Sequence, residues 1–560
     1  MGQARAGAQR PDGAALHGGH RHRVQPELRA PRARLNVVFG VPATETFHDL
    51  LARRAAAHPD REALVDHRHR VTYGELLARV DRTAAALQRL GLGPGDVITI
   101  QLPNWVEFAY VFFACERIGA IANQIGPDFR SREVEYIVRF SESRAFVCPA
   151  TFKGFDYVEM MRSLRPKLTG LEAVLVLGGG DADTVSLDHL IYGLTAPPPL
   201  KPYRMAPDAV MRMAFTSGTT GNPKGVTHSF DTTLPAAEIL NGAMNVTERE
   251  VFLIYLPLGL NWGYLTLLQS IMAGARAVLL DRFSGRAALE LIERERVTFI
   301  PSAPASLIAM LNDPELERFD LRSLRVVITG GAACPVETIR AFRARIPGHL
   351  IELYGMLETG FHTFTRLPDD PEAVAGTIGR PANSMELRLI DEHGRDVPPG
   401  AEGEIAAKGP SVHLGYYKNP TANAELFTAD GWFRTGDLGV MEPSGNVRIV
   451  GRLKEMINRG GKKFFPREVE EILYTHPSVL HAAIVGVPDP RLGERNCLCV
   501  IPRPGASVRL EEMVAFLRDD VATYKLPEEL EIFDEFPFTP TGKIQRHALT
   551  RQVLVRRGCA

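Results

Sequence analysis

Twice between Thr72 and Cys148 the chain sets down a helix with its own start signal and follows it with a short apolar strand, an order that restricts it to α/β architecture. Thr72 and Glu75 form a capping box ahead of Leu76, Leu77, Val80, Ala84 and Leu87 at helical spacing, and Val97–Leu102 reads as the strand that follows. Ser131 is the expected cap of the next helix. Glu133 stands in its first turn, Val134, Ile137 and Val138 line one face, and Arg144–Cys148 is the next strand. The glycines at 178–180 and the prolines of 197–202 punctuate the chain before a further strand at Val210–Phe215. No fixed-period repeat is present.

At 560 residues the chain is too long for one core. A boundary near Gly451 divides it into a large α/β domain, residues 36–451, and a small α+β domain, residues 452–560. In the small domain Pro466 opens a helix with Val469, Ile472 and Leu473 on one face. Strands are expected at His481–Val487 and Asn496–Ile501, and another helix near Glu511–Leu517. Residues 1–35 are rich in Arg, Ala, Gly and Pro, with only Asp12 and Glu27 acidic, and read as a disordered extension. A transit peptide is the alternative for this Arg-rich, acid-poor segment.

Val251–Ala275 carries no charged residue and is long enough to cross a bilayer. Pro257, Gly259, Asn261, Gly263 and Gln269 instead break it into a strand, a loop and a buried helix. A net charge of -1 offers no general attraction to nucleic acid. The six cysteines lack metal-ligand spacing and suit reduced thiols of a cytoplasmic protein, with Cys497 and Cys499 as alternating strand residues.

Chemistry concentrates first in Phe215-Thr216-Ser217-Gly218-Thr219-Thr220-Gly221-Asn222-Pro223-Lys224-Gly225, which follows a strand. Its glycines let backbone N–H groups approach an anion, its hydroxyls add donors and Lys224 adds charge, a composition suited to phosphate. The order differs from a Walker A loop. This segment resembles the signature of the adenylate-forming superfamily of acyl-CoA synthetases, aryl-acid ligases and luciferases. Further motifs similar to that family's follow in its order. They are Gly331-Ala332-Ala333, Tyr354-Gly355-Met356-Leu357-Glu358, Trp432-Phe433-Arg434-Thr435-Gly436-Asp437, Gly451-Arg452-Leu453-Lys454 and Pro540-Thr541-Gly542-Lys543. The resemblance extends over residues 40–550 and implies the family's fold, with a small C-terminal domain that moves about a hinge.

It also implies an acid:CoA ligase using ATP, Mg2+ and coenzyme A. Joining a carboxylate to the α-phosphate brings two anions together, so positioning and neutralising cations must supply most of the acceleration. By resemblance Lys543 stands where charge develops, Glu358 holds Mg2+, and Asp437 and Arg452 contact the ribose. Thr216, Ser217, Gly218, Thr219, Thr220, Gly221 and Lys224 cradle phosphate, Gly331, Ala332 and Ala333 contact adenine, and Tyr354 and Gly355 belong to the same ATP/AMP site. Lys454 is the hinge position, and Gly460 and Gly461 face CoA after the small domain turns. Asn261, Trp262, Leu353 and Gly360 line the acyl pocket, which suits an alicyclic, aromatic or short-to-medium acid. Leu102-Pro103-Asn104-Trp105 and Phe152–Tyr157 look most like cyclohexanecarboxylate-type and short-to-medium-chain ligases, whereas Ile457–Gly461 resembles the aryl-acid branch.

Leu357 stands where the family has Thr, removing a hydroxyl worth about 1 kcal/mol as a hydrogen bond. Leu260 replaces a frequent His, and Lys463 a frequent Asn. Two alternatives stay open. A stand-alone aryl-acid adenylating enzyme would pass its product to a carrier protein, and a degenerate nucleotide-binding protein would catalyse nothing. A homodimer is compatible with the resemblance.

Overall fold

The computed structural model describes residues 45–193, 199–216, 223–332, 334–539 and 543–558, apart from the side chains of 373 and 374. The expected extension 1–35, residues 217–222 of the expected phosphate loop and residues 540–542 of the C-terminal lysine motif lie outside them. Within the described residues the chain forms a large N-terminal α/β domain built on two broad sheets and a four-stranded one, and a small C-terminal domain built on a five-stranded sheet.

The first sheet runs in the order Arg380–Pro381, Gly360–Phe364, His349–Met356, Val326–Gly330, Phe299–Ser302, Val251–Ile254, Arg276–Leu279, Glu62–Val65 and Arg70–Thr72. Its six central strands, from His349–Met356 to Glu62–Val65, are parallel. The second sheet centres on Val97–Ile100, Ile121–Gln124 and Arg212–Phe215, with Gly225–His228 returning antiparallel beside the last. Two helices, Val106–Ile118 and Asn261–Ala273, belong to the core that joins the sheets. The first is buried everywhere except Arg117, its two glutamates Glu107 and Glu116 included.

The capping box at the Tyr73–Arg89 helix is present: the Thr72 hydroxyl accepts from Glu75 N at 3.2 Å and the Glu75 carboxylate accepts from Thr72 N at 2.9 Å. The expected cap at Ser131 is displaced by one residue. Arg130 is the N-cap, its backbone N–H donating to the Glu133 carboxylate at 3.1 Å, and Ser131 is the first helical residue. The long uncharged run divides as its loop residues require, into the strand Val251–Ile254, a turn, and the helix Asn261–Ala273. Gly263 is needed there because a Cβ would sit 2.4 Å from the Leu256 carbonyl oxygen, so the loop can fold tightly onto the first helical turn. No helix among the described residues is long and apolar enough to cross a membrane.

In the small domain the strands Val479–Asp489 and Gly493–Pro502 are buried on both faces. Ile484, Leu498 and Val500 pack with Val469 and Leu473 of the helix Pro466–Leu473 and with Met513 and Leu517 of Leu510–Leu517. Ala483, Val485, Cys497 and Cys499 turn the other way, toward Phe533, Phe536 and the helix Arg546–Arg556. The alternation expected of Cys497 and Cys499 is therefore real, one residue pointing up and the next down.

Candidate functional site

Carboxyl ends of parallel strands leave open main-chain groups and a crevice, and the motif residues converge on such an edge. Val326–Gly330 ends beside His349–Met356, with Gly330 opposite Leu353. Gly331 follows at φ 77°, and a Cβ there would lie 3.7 Å from both the Lys543 Cε and the Trp262 ring. Lys543, from the far end of the chain, thus reaches the strand edge of the large domain.

Asp437 and Arg452 are directly opposite each other on the antiparallel strands Phe433–Met441 and Val447–Arg452. Arg452 donates to Asp437 through Nε at 2.5 Å and Nη2 at 3.3 Å, and the buried Tyr354 hydroxyl donates to the same carboxylate at 2.7 Å. Asp437 holds the Arg452 guanidinium well above its usual range, while burial and the Asp437 charge raise the Tyr354 phenol. Glu358 accepts from the Tyr416 hydroxyl at 3.0 Å. Burial raises its carboxyl, and Tyr416, Arg452 and Lys224 oppose that rise. Lys224 lies 4.8 Å over the Tyr416 ring. Burial and then Arg452 push the Lys543 ammonium down to about 8, against the pull of Asp437, Glu358 and Glu455. Three cations and three carboxylates therefore act on one small volume.

The phosphate loop is anchored at both ends: Thr216 N donates to the Lys224 carbonyl at 3.1 Å and Lys224 N to the Thr216 hydroxyl at 3.2 Å. Ser217, Gly218, Thr219, Thr220 and Gly221 lie outside the described residues, as does Ala333; Ala332 is exposed beside Gly331. Gly355 pairs with Phe361 across the hairpin that carries Glu358. Lys454 is exposed in the single turn Leu453–Glu455, and Gly460 and Gly461 occupy an exposed hairpin turn.

The acyl-side residues also gather. Asn261 Nδ2 donates to the Met356 carbonyl at 3.3 Å, and Met356 pairs with Gly360. The Trp262 ring comes within 3.1 Å of a Cβ placed on Gly330, whose strand partner is the buried Leu353. Leu357, although it lacks the hydroxyl, is held through its carbonyl, 2.8 Å from His228 Nε2. Leu260 is the N-cap of the Asn261–Ala273 helix and makes no side-chain cap bond.

Three residues of this neighbourhood are not identified from the sequence: Tyr416, His228 and Arg212. Arg212 had a visible signal, being the sole charge in the apolar strand segment Met211–Phe215. Its guanidinium is fully buried, lies 4.3 Å over the Tyr264 ring, and donates through Nη2 to Asn261 Oδ1 at 2.8 Å.

Residues 51–417 match the family described as AMP-binding enzyme, and residues 468–543 match the AMP-binding enzyme C-terminal domain. The 2,3-dihydroxybenzoate-AMP ligase of Bacillus subtilis (strain 168) is 36% identical over 92% of this chain and 95% of its own length. The medium-chain fatty-acid–CoA ligase of Escherichia coli (strain K12) is 34% identical over 91% of this chain and 90% of its own. Among solved structures, the anthranilate CoA ligase AuaEII in complex with anthranoyl-AMP superposes with a TM-score of 0.85 at 25% identity, over 92% of this chain and 99% of that one.

Proposed function

The chain belongs to the AMP-binding enzyme family, and from this premise we propose that it is an ATP-dependent carboxylic acid:CoA ligase. It activates its acid as an acyl-adenylate and then passes the acyl group to the thiol of coenzyme A. One observation carries this reading: Lys543 stands against Gly331, within reach of the charges of Arg452, Asp437 and Glu358. In the adenylating step the carboxylate oxygen attacks the α-phosphorus and pyrophosphate departs. Lys543 neutralises the charge that builds between the two anions.

Glu358 fits a hard dication, since it offers carboxylate oxygens with one fixed by Tyr416. Mg2+ held there would neutralise phosphate charge. Asp437 receives the ribose hydroxyls, with Tyr354 and Arg452 fixing its orientation. Residues 452–560 form the small mobile domain of this account. Turning at Lys454, it withdraws Lys543 after the first step and brings Gly460 and Gly461 to the pantetheine arm.

The acid of this reading is alicyclic, aromatic or of short-to-medium length, a choice supported by the bulk of the Trp262 ring packed beside Gly330. Transfer to a carrier protein is the second reading. It is favoured by the identity to the 2,3-dihydroxybenzoate-AMP ligase over nearly the whole chain. Pyrophosphate release with ATP and Mg2+, over benzoates, hydroxybenzoates, cyclohexanecarboxylate and short-to-medium fatty acids, separates the readings. Turnover that requires CoA and yields acyl-CoA supports the ligase. A CoA-indifferent burst supports carrier loading, and silence with every acid contradicts both.

A further inference from the structure

The acyl side of the site holds an unusual set of polar groups. Arg212 Nε and Nη1, Trp262 Nε1 and the Tyr264 hydroxyl are all buried without a hydrogen-bond partner among the described residues. Most buried polar atoms in proteins are satisfied, so several orphans on one helix and the strand beside it require an explanation. Three of the four are obligate donors, and Arg212 has no acidic partner within ion-pair distance among the described residues.

Arg212 also settles a question that an asparagine normally leaves open. The two ends of a carboxamide are hard to tell apart, but a guanidinium can only donate. Its Nη2 therefore takes Asn261 Oδ1, at 2.8 Å, and the NH2 end must turn the other way. One N–H goes to the Met356 carbonyl at 3.3 Å, and Asn261 is half-exposed where the rest of its helix, from Trp262 to Ile271, is buried. A group bound beside Met356 and Gly360 would thus meet a donor from Asn261, with the unpartnered donors of Arg212 behind it.

Resting on the ligase reading above, we infer that Arg212 is a positioning residue that locks the Asn261 carboxamide with its NH2 toward the acyl pocket. The acid selected in this way carries a hydrogen-bond acceptor of its own beyond the carboxylate: a ring nitrogen, ether, carbonyl or ionised hydroxyl. A plain hydrocarbon acid leaves the donor unmet, and an acid presenting only a donor meets donor with donor.

The test uses the full-length enzyme and isosteric acid pairs: pyridine-2-, -3- and -4-carboxylate against benzoate, and oxane-2-, -3- and -4-carboxylate against cyclohexanecarboxylate. The readout is kcat/KM for pyrophosphate release. At least one acceptor acid should exceed its hydrocarbon isostere by about tenfold or more, the scale of discrimination expected when a site is built to hydrogen-bond its substrate. Arg212→Met should reduce that ratio to near one, and Arg212→Lys, which keeps a donor for Oδ1, should restore part of it. If Arg212→Met does not fold, Asn261→Asp decides. It keeps the partner of Arg212 but turns an acceptor to the pocket, and should reverse the ratio and favour aminobenzoates. A wild-type ratio near one in every pair, or a ratio that survives Arg212→Met or Asn261→Asp, overturns the inference and leaves the ligase reading intact. Silence with every acid overturns both.

Discussion

The two sides of the site are built on opposite terms. On the side proposed for the nucleotide, Asp437 has both carboxylate oxygens committed, to Arg452 and Tyr354, and Glu358 is tied to Tyr416. On the side proposed for the acid, Arg212, Trp262 and Tyr264 keep polar atoms that nothing among the described residues meets. A ligand part common to every turnover can be met by a network completed in advance, which fixes geometry and costs no reorganisation. A variable part is met by groups whose satisfaction comes from the right substrate alone, so unmet donors become a means of rejection. Changes on the first side should therefore reduce activity for every acid, and changes on the second should alter the choice among acids.

The largest effect belongs to Lys543. Lys543→Ala should slow acid-dependent pyrophosphate exchange by about 10²–10³-fold or more, the scale of losing one preorganised charge contact in a transition state. Because its ammonium sits near pH 8 in the free enzyme and the charged form is needed, kcat/KM for adenylation should fall as pH rises through about 8. A profile flat to pH 10 would detach Lys543 from the reacting charge.

Next comes Asp437→Ala, which leaves Arg452 and the buried Tyr354 hydroxyl without their acceptor. With Arg452 more than one-third exposed, the loss of stability should be about 2 kcal/mol, read by denaturant melting, and KM for ATP should rise for every acid alike. A rise confined to one acid would break the division between the two sides. Tyr416→Phe should cost about 1 kcal/mol, seen as a weaker response to Mg2+ rather than a changed acid preference. The smallest effect is on stability at Arg212. Arg212→Met replaces an underpaired buried cation with an apolar side chain of similar length, so thermal melting should stay within about 1 kcal/mol of wild type or rise.

The sequence made the nucleotide side legible because its parts are local. The strand segment at Phe215, the Tyr354–Glu358 run and Asp437 are each short motifs, and the capping box at Thr72 needs only neighbours within three residues. Ser131 was misplaced by one position because Arg130 can adopt the extended cap conformation and let Glu133 do the capping. The acyl side was only half legible. Asn261 and Trp262 stand out in an uncharged helix, but Arg212 is 49 residues away in sequence and meets Asn261 solely through sheet-to-helix packing. Tyr416 was missed for the same reason, lying 58 residues beyond the Glu358 it holds.

The most direct measurement gives the Lys543→Ala protein a synthetic acyl-adenylate together with CoA and follows acyl-CoA in a single turnover, beside its pyrophosphate exchange with ATP and the free acid. A lysine delivered to the large-domain site for the first step alone predicts that exchange is lost while thioester formation stays within a few-fold of wild type. Equal loss of both would contradict it, and would place Lys543 in the frame of the site rather than in its first reaction.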